Sequence, residues 1–415
     1  MSATHAAARN GRRTFFTYEN GILLLLGFSF GLVFFDRNAI NYLVAAIQVD
    51  LGLTNTQIGM LSSGLALAWA ISAYFVAAWS DAIRARKPFV LLSIVVFSLC
   101  SAVSGLATSF AFLLAARVLM GIAEGPFLPV CLSIMNVESS PHRRGLNAGV
   151  MQNVFAALIG NMLAGFLVPR LASMFDWRVT FFLTGIPGLI CALLVFLYLR
   201  EPARTPEEAA ETPPRVGLSA LSMLKEHNIR VCCVISIFMV AWFLVGLTFM
   251  PVFFQNVRGF TAEQAGQLVG ITGLATAICG FLVPAWSDRV GRKPAMILFC
   301  FGAVMTPLAA LWFDGPMWML GLLLFLGWSG TGAFPLFMGV VPGESVSRSL
   351  AASSMGLVVA IGELIGGVTM PTLAGRIADA TSLAAPIVVA AFCAVCAGVA
   401  ALFLEETAPS KVARP

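Results

Sequence analysis

Charge is scarce in this 415-residue chain: Asp, Glu, Lys and Arg together make up 11% of it, about half the share in an ordinary soluble domain. Histidine is scarcer. Only His5, His142 and His227 occur, all in a tail or between apolar runs, so any proton carried inside an apolar run must ride on a carboxylate. Cysteine is present nine times, always within an apolar run (Cys100, Cys131, Cys191, Cys232, Cys233, Cys279, Cys300, Cys393, Cys396). That placement gives neither a disulfide framework nor a zinc site, and no metal is expected. Cys393 and Cys396 have a redox spacing but no acidic or histidine neighbour. Long polar loops are also lacking, and no nucleophile–base set lies in or beside the apolar runs, which argues against an enzyme and its cofactors. What the chain does have is 59% hydrophobic residues and a mean hydropathy of +0.90. It reads as a polytopic all-α membrane protein. The basic start (Arg9, Arg12, Arg13) leads into an uninterrupted apolar run with no small-residue cleavage site, so the first helix is expected to be retained rather than cleaved as a signal.

Windows of ~20 apolar residues mark membrane helices. Twelve are found, near 20–45, 56–78, 88–108, 111–135, 144–168, 178–199, 229–254, 264–286, 294–313, 316–341, 349–371 and 383–404. Residues 201–228, with Glu207, Glu208, Glu211, Pro213 and Pro214, have a linker composition. Three parts follow: a six-helix bundle over 1–200, a linker over 201–228 and a second six-helix bundle over 229–415. Nineteen of the 25 Lys and Arg residues fall in the tails, the linker and the alternate loops on the same side; four fall on the other side. The positive-inside rule then puts both termini and the linker in the cytoplasm. The net charge of +5 is this bias and calls for no nucleic acid; the partners expected are a lipid bilayer and a small molecule, with the protein a monomer.

Five ionisable residues lie well inside the spans: Asp36, Arg37, Arg117, Glu124 and Glu363. A charge at mid-bilayer costs about 3 kcal/mol on insertion scales and is tolerated where it faces a bundle interior or a watery cavity. Adjacent residues of a helix point about 100° apart, so Asp36 and Arg37 address different partners. Arg117, Gly121 and Glu124 share a face by the i, i+4, i+7 rule. Depth along the first and fourth helices matches Asp36 with Arg117 and Arg37 with Glu124, and two cross-helix pairs are expected. A carboxylate that alternates between apolar surroundings and an arginine can load and release a proton near neutral pH.

An internal repeat supports the division in two. Ala78-Trp79-Ser80-Asp81 closes the second helix before Arg84, Arg86, Lys87 and Pro88; Ala285-Trp286-Ser287-Asp288 closes the eighth before Arg289, Gly291, Arg292, Lys293 and Pro294. The loop Asp288-Arg289-Val290-Gly291-Arg292-Lys293 resembles the signature loop of the major facilitator superfamily. The first copy departs from it, with Ala77 in place of a preferred Gly and one extra residue before Lys87. The resemblance implies two six-helix bundles of major facilitator type with a binding site between them, gated through Asp81, Arg84, Asp288, Arg289 and Arg292. It also implies contact between the first and fourth helices. Arg117-x-x-x-Gly121 matches a motif common in proton-linked facilitators; the alternative is an Arg over a close helix contact at Gly121.

Asp36-Arg37, the run Arg117 to Glu124, and Trp177-Arg178-Val179-Thr180-Phe181-Phe182 resemble, more narrowly, the anion:cation symporter family. That resemblance implies proton-coupled symport of a small organic anion, a carboxylate or sugar acid, across the cytoplasmic (inner) membrane. It implies Arg37 as the anion's ligand, with Asp36, Glu124 and Arg117 in proton coupling. A guanidinium fork suits a planar carboxylate. Glu363, in Ile361-Gly362-Glu363-Leu364-Ile365-Gly366-Gly367, departs from the family, which often has Asn there. It could donate as a neutral acid, carry a second proton or bind an amine. Two alternative functions remain, a drug or organic-cation/proton antiporter and a spinster-like lysolipid carrier. Further candidate substrate contacts are Asn41, Trp69, Tyr74, Gln152, Asn153, Trp242, Trp328 and Ser329. Pro251, Pro335, Pro371 and the pairs Gly145/Gly149 and Gly362/Gly366 suit kinks and close contacts.

Overall fold

The computed structural model describes residues 17–83, 85–140, 143–201, 223–347, 350–409 and 411; the side chains of 74, 77–83 and 352 lie outside that description. The expectations for Tyr74, Asp81 and Arg84, and for most of the linker, therefore fall outside the described residues.

The described residues form twelve long helices: α1 (Tyr18–Leu51), α2 (Asn55–Ile83), α3 (Lys87–Ser104), α4 (Phe110–Glu138), α5 (Arg144–Phe175), α6 (Trp177–Tyr198), α7 (His227–Asn256), α8 (Ala262–Val290), α9 (Arg292–Trp312), α10 (Met317–Glu344), α11 (Ser353–Ala380) and α12 (Ala385–Leu402). Among the described residues eleven of these, all but α2, are long and apolar enough to cross a membrane, and no strand is present. Each of the twelve sequence-derived spans falls on a helix, eleven of them on a candidate membrane span, and several helices run past them. At 1.5 Å per residue, the 34 residues of α1 reach about 50 Å, beyond a ~30 Å hydrocarbon core.

The ends are set by local chemistry. Thr17 caps α1 by accepting from the Asn20 amide at 3.3 Å, and Gly52 at φ +62° closes it in the left-handed region that glycine alone enters freely. Thr261 and Gln264 form a reciprocal capping box at the start of α8. Asp176 sits between α5 and α6 at φ 88° and accepts from the Val179 amide at 2.9 Å, capping α6.

Small residues bring the helices together. A methyl group added at Gly121 on α4 would fall 2.5 Å from the Leu65 carbonyl of α2. Gly160 of α5 packs on Phe34 of α1, and Gly366 of α11 on the Ile237 carbonyl of α7. Such stripes replace the hydrophobic effect as the source of helix contact in lipid. The same device joins the two halves, and it does so toward one face, the one carrying the α1–α2 turn. There Gly59 of α2 meets Pro371 of α11, Gly375 of α11 meets Asn55, and Gly165 of α5 meets Gly266 and Gly270 of α8. Ser62 lies 3.0 Å from Thr248, and Thr372 donates to Ser63 at 2.8 Å. Asp379, at the end of α11, accepts from the amides of Asn55 and Thr56, both at 2.8 Å, and from the Thr56 hydroxyl at 2.6 Å, capping α2 from the other half. This face is called the sealed face below.

The fifth helix of each half is not uniformly α-helical. Wide π-type turns occupy Val150–Val154 and Ala156–Leu163 in α5 and Gly362–Thr369 in α11. A further wide stretch, Leu336–Val340, and a tight 3₁₀ stretch, Ser329–Ala333, interrupt α10. Departures of this kind shift side chains off the α-helical register and gather at working sites.

Candidate functional site: a free arginine between two acids

A cleft opens where α1, α2, α4 and α7 meet, lined by Arg37, Asn38, Asn41, Ser62, Arg117 and Thr248 among others. Arg37 is its dominant cation. Its guanidinium carbon stands 5.7 Å from the Phe34 ring centroid and 5.8 Å from that of Trp69, within cation–π range. Among the described residues its side chain makes no hydrogen bond and no ion pair, so the donors of the fork are available.

Two acids reach that cation electrostatically without touching it: Glu124 from the first half and Glu363 from the second. Glu124 is buried, 1% exposed, and both of its carboxylate oxygens lack a hydrogen-bond partner. Glu363 stands on the wide turn of α11. A methyl group added at Gly367 would fall 2.8 Å from Glu363 Oε2 and 3.2 Å from Leu244 Cδ1, and Leu244 also lines the cleft. Glu363 thus approaches from the opposite side of the seam.

The two expected ion pairs are not made. Among the described residues no contact of 4.0 Å or less joins Asp36 to Arg117 or Arg37 to Glu124. Other groups hold Arg117 and Asp36, whereas Arg37 and Glu124 stay apart without hydrogen-bond partners of their own among the described residues. Arg117 donates through Nη1 to the Arg37 backbone carbonyl at 3.3 Å and through Nη2 to Ser104 Oγ at 3.5 Å, with Phe181 5.9 Å away. Asp36, 1% exposed, accepts from Ser101 Oγ at 3.3 Å, and Ser101 lies 3.0 Å from Thr184 Oγ1. Asp36 Oδ2 and Arg117 Nε are left without a partner. The four charges form a field rather than bonded couples, since Glu124 also acts on Asp36 and Arg117. Ser101 and Thr184 escaped the sequence reading because a hydroxyl in an apolar run carries no distinguishing signal.

The remaining candidates separate clearly. Asn41 and Trp69 stand at the cleft or beside Arg37. Asn38, one turn from Asn41, instead ties α1 to α5 through the Gly160 carbonyl at 3.1 Å and Asn161 Oδ1 at 2.6 Å. Gln152 is exposed, and Asn153 donates to the Gly149 carbonyl of its own helix at 3.2 Å. Trp242 and Trp328 are both 1% exposed and lie ring to ring at 4.6 Å inside the second half. Ser329 donates to Leu326 in its own helix at 2.5 Å. None of these five lines the cleft.

At the face opposite the sealed one, the loop after α8 is bonded through Arg292. It pairs with Asp288 at 2.6 Å and with Glu344 at the end of α10 at 2.9 Å, and donates to Ser287 Oγ at 2.6 Å. Arg289 is exposed. A repeat emerges here that the sequence reading missed. Glu406, just past α12, accepts from the amides of Arg292 and Lys293 at 2.7 and 3.2 Å. Glu201, just past α6, accepts from those of Arg86 and Lys87 at 2.6 and 3.0 Å. In each half the acid after the sixth helix caps the third, where the unpaired amides and helix dipole favour an anion. An acid closely following each half's last span was the available signal.

Comparison with known proteins agrees with this architecture. A model of the Major Facilitator Superfamily matches residues 26–367. The hexuronate transporter of Bacillus subtilis (strain 168) is 30% identical over 286 residues, covering 66% of this chain and 65% of that protein. The sialic acid transporter NanX of Escherichia coli (strain K12) is 27% identical over 276 residues, 65% of each chain. This chain thus spans just under two thirds of the length of those two relatives. The cis,cis-muconate transport protein of Acinetobacter baylyi (strain ATCC 33305 / BD413 / ADP1) is 24% identical over 392 residues, 89% of this chain and 91% of that one. Among solved structures, a bacterial homolog to the human lysosomal transporter Spinster, inward-facing and unoccupied, superposes with a TM-score of 0.76 at 20% identity over 93% of this chain and 98% of that one. A D-xylose-proton symporter superposes with a TM-score of 0.75 at 16% identity, over 94% and 99%. The twelve-helix fold, the family model and these relatives lead to one statement: the chain is a multi-pass membrane protein belonging to the Major Facilitator Superfamily.

Proposed function

We propose that this protein is a secondary transporter that moves a small organic carboxylate together with a proton. The observation that carries the reading is the unbonded guanidinium of Arg37 in a cleft at the seam of the two halves, with Glu124 unbonded nearby. A planar carboxylate satisfies that fork through two parallel hydrogen bonds. Once an anion engages Arg37, the field that favours the ionised form of Glu124 is largely cancelled, and Glu124, in apolar surroundings, binds a proton more readily. One proton then accompanies one anion. Asp36 and Arg117 keep the field balanced behind the site. The names of the hexuronate, sialic acid and muconate relatives support an organic acid as cargo.

In this reading residues 1–200 rock against 229–415 about the site, a plan typical of parallel repeats. The charge bias supports both termini in the cytoplasm and the sealed face outward, in the inner membrane. The working unit is the monomer, with the proton as coupling ion and no cofactor. The test is thermal stabilisation of purified protein by a panel of glucuronate, muconate, benzoate, nicotinate and two cationic drugs, with Arg37→Ala as control. Carboxylates should stabilise the wild type and lose the effect in Arg37→Ala. Stabilisation by cations alone would overturn the reading.

A further inference from the structure

We infer that the cargo is a zwitterion whose carboxylate sits on Arg37 and whose cationic nitrogen sits on Glu363. The inference rests on the anion reading above and names the substrate class within it.

The argument starts from what a plain anion would meet. Arg37 belongs to the first half and Glu363 to the second, and each lies within the other's field. Neither is hydrogen-bonded or ion-paired through its side chain among the described residues. The cluster sets two arginines, Arg37 and Arg117, against three acids, Asp36, Glu124 and Glu363. The acid on the opposite wall, Glu363, is therefore surplus for a monoanion, and it repels one. Acids in membrane spans are costly enough to be retained for a role.

The position of Glu363 is also particular. It is carried on the wide turn Gly362–Thr369, which displaces it from regular α-helical register. Its Oε2 leans over Gly367, the one residue type without a Cβ to obstruct it, and a methyl there would fall 2.8 Å away. The same glycine leaves room for Leu244, which lines the cleft. The acid is thus brought to the back of the cleft's second-half wall. The second-half residues lining the cleft are Leu244, Leu247 and Thr248, whose hydroxyl is already 3.0 Å from that of Ser62. Such a wall offers few hydrogen bonds to a polyhydroxylated sugar acid, but it suits a short carbon chain ending in a cation.

A zwitterion resolves the arrangement. Its carboxylate fills the free fork, its nitrogen neutralises Glu363, and its apolar middle lies against Leu244 and Leu247. It also bridges the halves, so that binding draws first-half and second-half walls together. A monoanion engages one wall only.

The experiment is a binding series on purified full-length protein by calorimetry. ω-Amino acids of rising length (glycine, β-alanine, 4-aminobutyrate, 5-aminopentanoate) are compared with chain-matched n-alkanoates. At one length the amine should tighten binding at least tenfold over its alkanoate. Glu363→Gln should erase that gain and bind the alkanoate severalfold tighter, because the repelling charge has gone; a merely structural role would weaken both. Glu363→Asp should move the optimum to a longer amino acid. Thermal melts verify that both variants fold. If alkanoates bind through Arg37 and amines add nothing at any length, the zwitterion inference falls and the anion reading stands. If neither series binds, and Arg37→Ala is silent with every carboxylate, both fall.

Discussion

Asp379→Ala should shift the carrier away from the conformation described here. Asp379 belongs to α11 in the second half, yet it caps α2 in the first, accepting two amides at 2.8 Å and a hydroxyl at 2.6 Å. These bonds exist only while the sealed face is shut. Opening it returns the amides to water, so the net loss is that of a helix cap, not of three full hydrogen bonds. Removing a cap costs about 0.5–2 kcal/mol, and a carboxylate at a helix N-terminus contributes about 0.3–1 kcal/mol of that through the dipole. About 1.4 kcal/mol is a tenfold change in an equilibrium. The ratio of sealed to open carriers should therefore fall about twofold to thirtyfold. Asp379→Asn, which keeps an acceptor oxygen but not the charge, should give a smaller shift. Spin labels at Val49, 84% exposed at the end of α1, and at Ser382 beyond α11 report the opening by pulsed dipolar spectroscopy. A long-distance population should grow in Asp379→Ala. Unchanged populations would mean that the glycine contacts, Gly59 on Pro371 and Gly165 on Gly266, hold the seal by themselves and that the cap is incidental.

Other consequences follow from the same geometry. Glu124→Gln should abolish uptake driven by a proton gradient in proteoliposomes while leaving counterflow exchange measurable, since the anion ligand is untouched. Gly165→Leu should cut transport tenfold or more and raise the long-distance spin-label population, because a side chain there cannot fit against Gly266 and Gly270. Glu201→Ala and Glu406→Ala should each cost about 1 kcal/mol as lost caps, and their effects should add, the two sites sharing no contact. Chemical denaturation in detergent of the two single variants and the double variant measures this.

The sequence showed the twelve helices and the one-sided bias of basic charge because both are written in composition: apolar runs and basic loops need no partner to be recognised. Asp36, Arg37, Arg117, Glu124 and Glu363 stood out for the same reason, as charges where the surroundings are apolar. Which atoms they touch was not legible. Arg117 turns its fork onto a backbone carbonyl and Ser104, a choice made by rotamer and neighbour, whereas sequence spacing reports depth alone. Trp242 and Trp328 could not be assigned to core or cleft, since in a membrane bundle the lipid face and the packed face are both apolar and periodicity loses its contrast. Asp379 on α2 was out of reach because the contact joins residues 323 apart or more in the chain. The paired caps by Glu201 and Glu406 were visible in principle. They required aligning the two halves beyond the Trp-Ser-Asp repeat, down to a single acid after each last helix.

The central claim is that an anion on Arg37 causes Glu124 to bind a proton. Calorimetric titration with the tightest-binding carboxylate of the panel, repeated in mildly alkaline buffers of different ionisation enthalpy, counts the protons taken up on binding. The account predicts close to one proton per carboxylate in the wild type and close to none in Glu124→Gln, with binding itself lost in Arg37→Ala. Binding without proton uptake in the wild type, or undiminished uptake in Glu124→Gln, would contradict it.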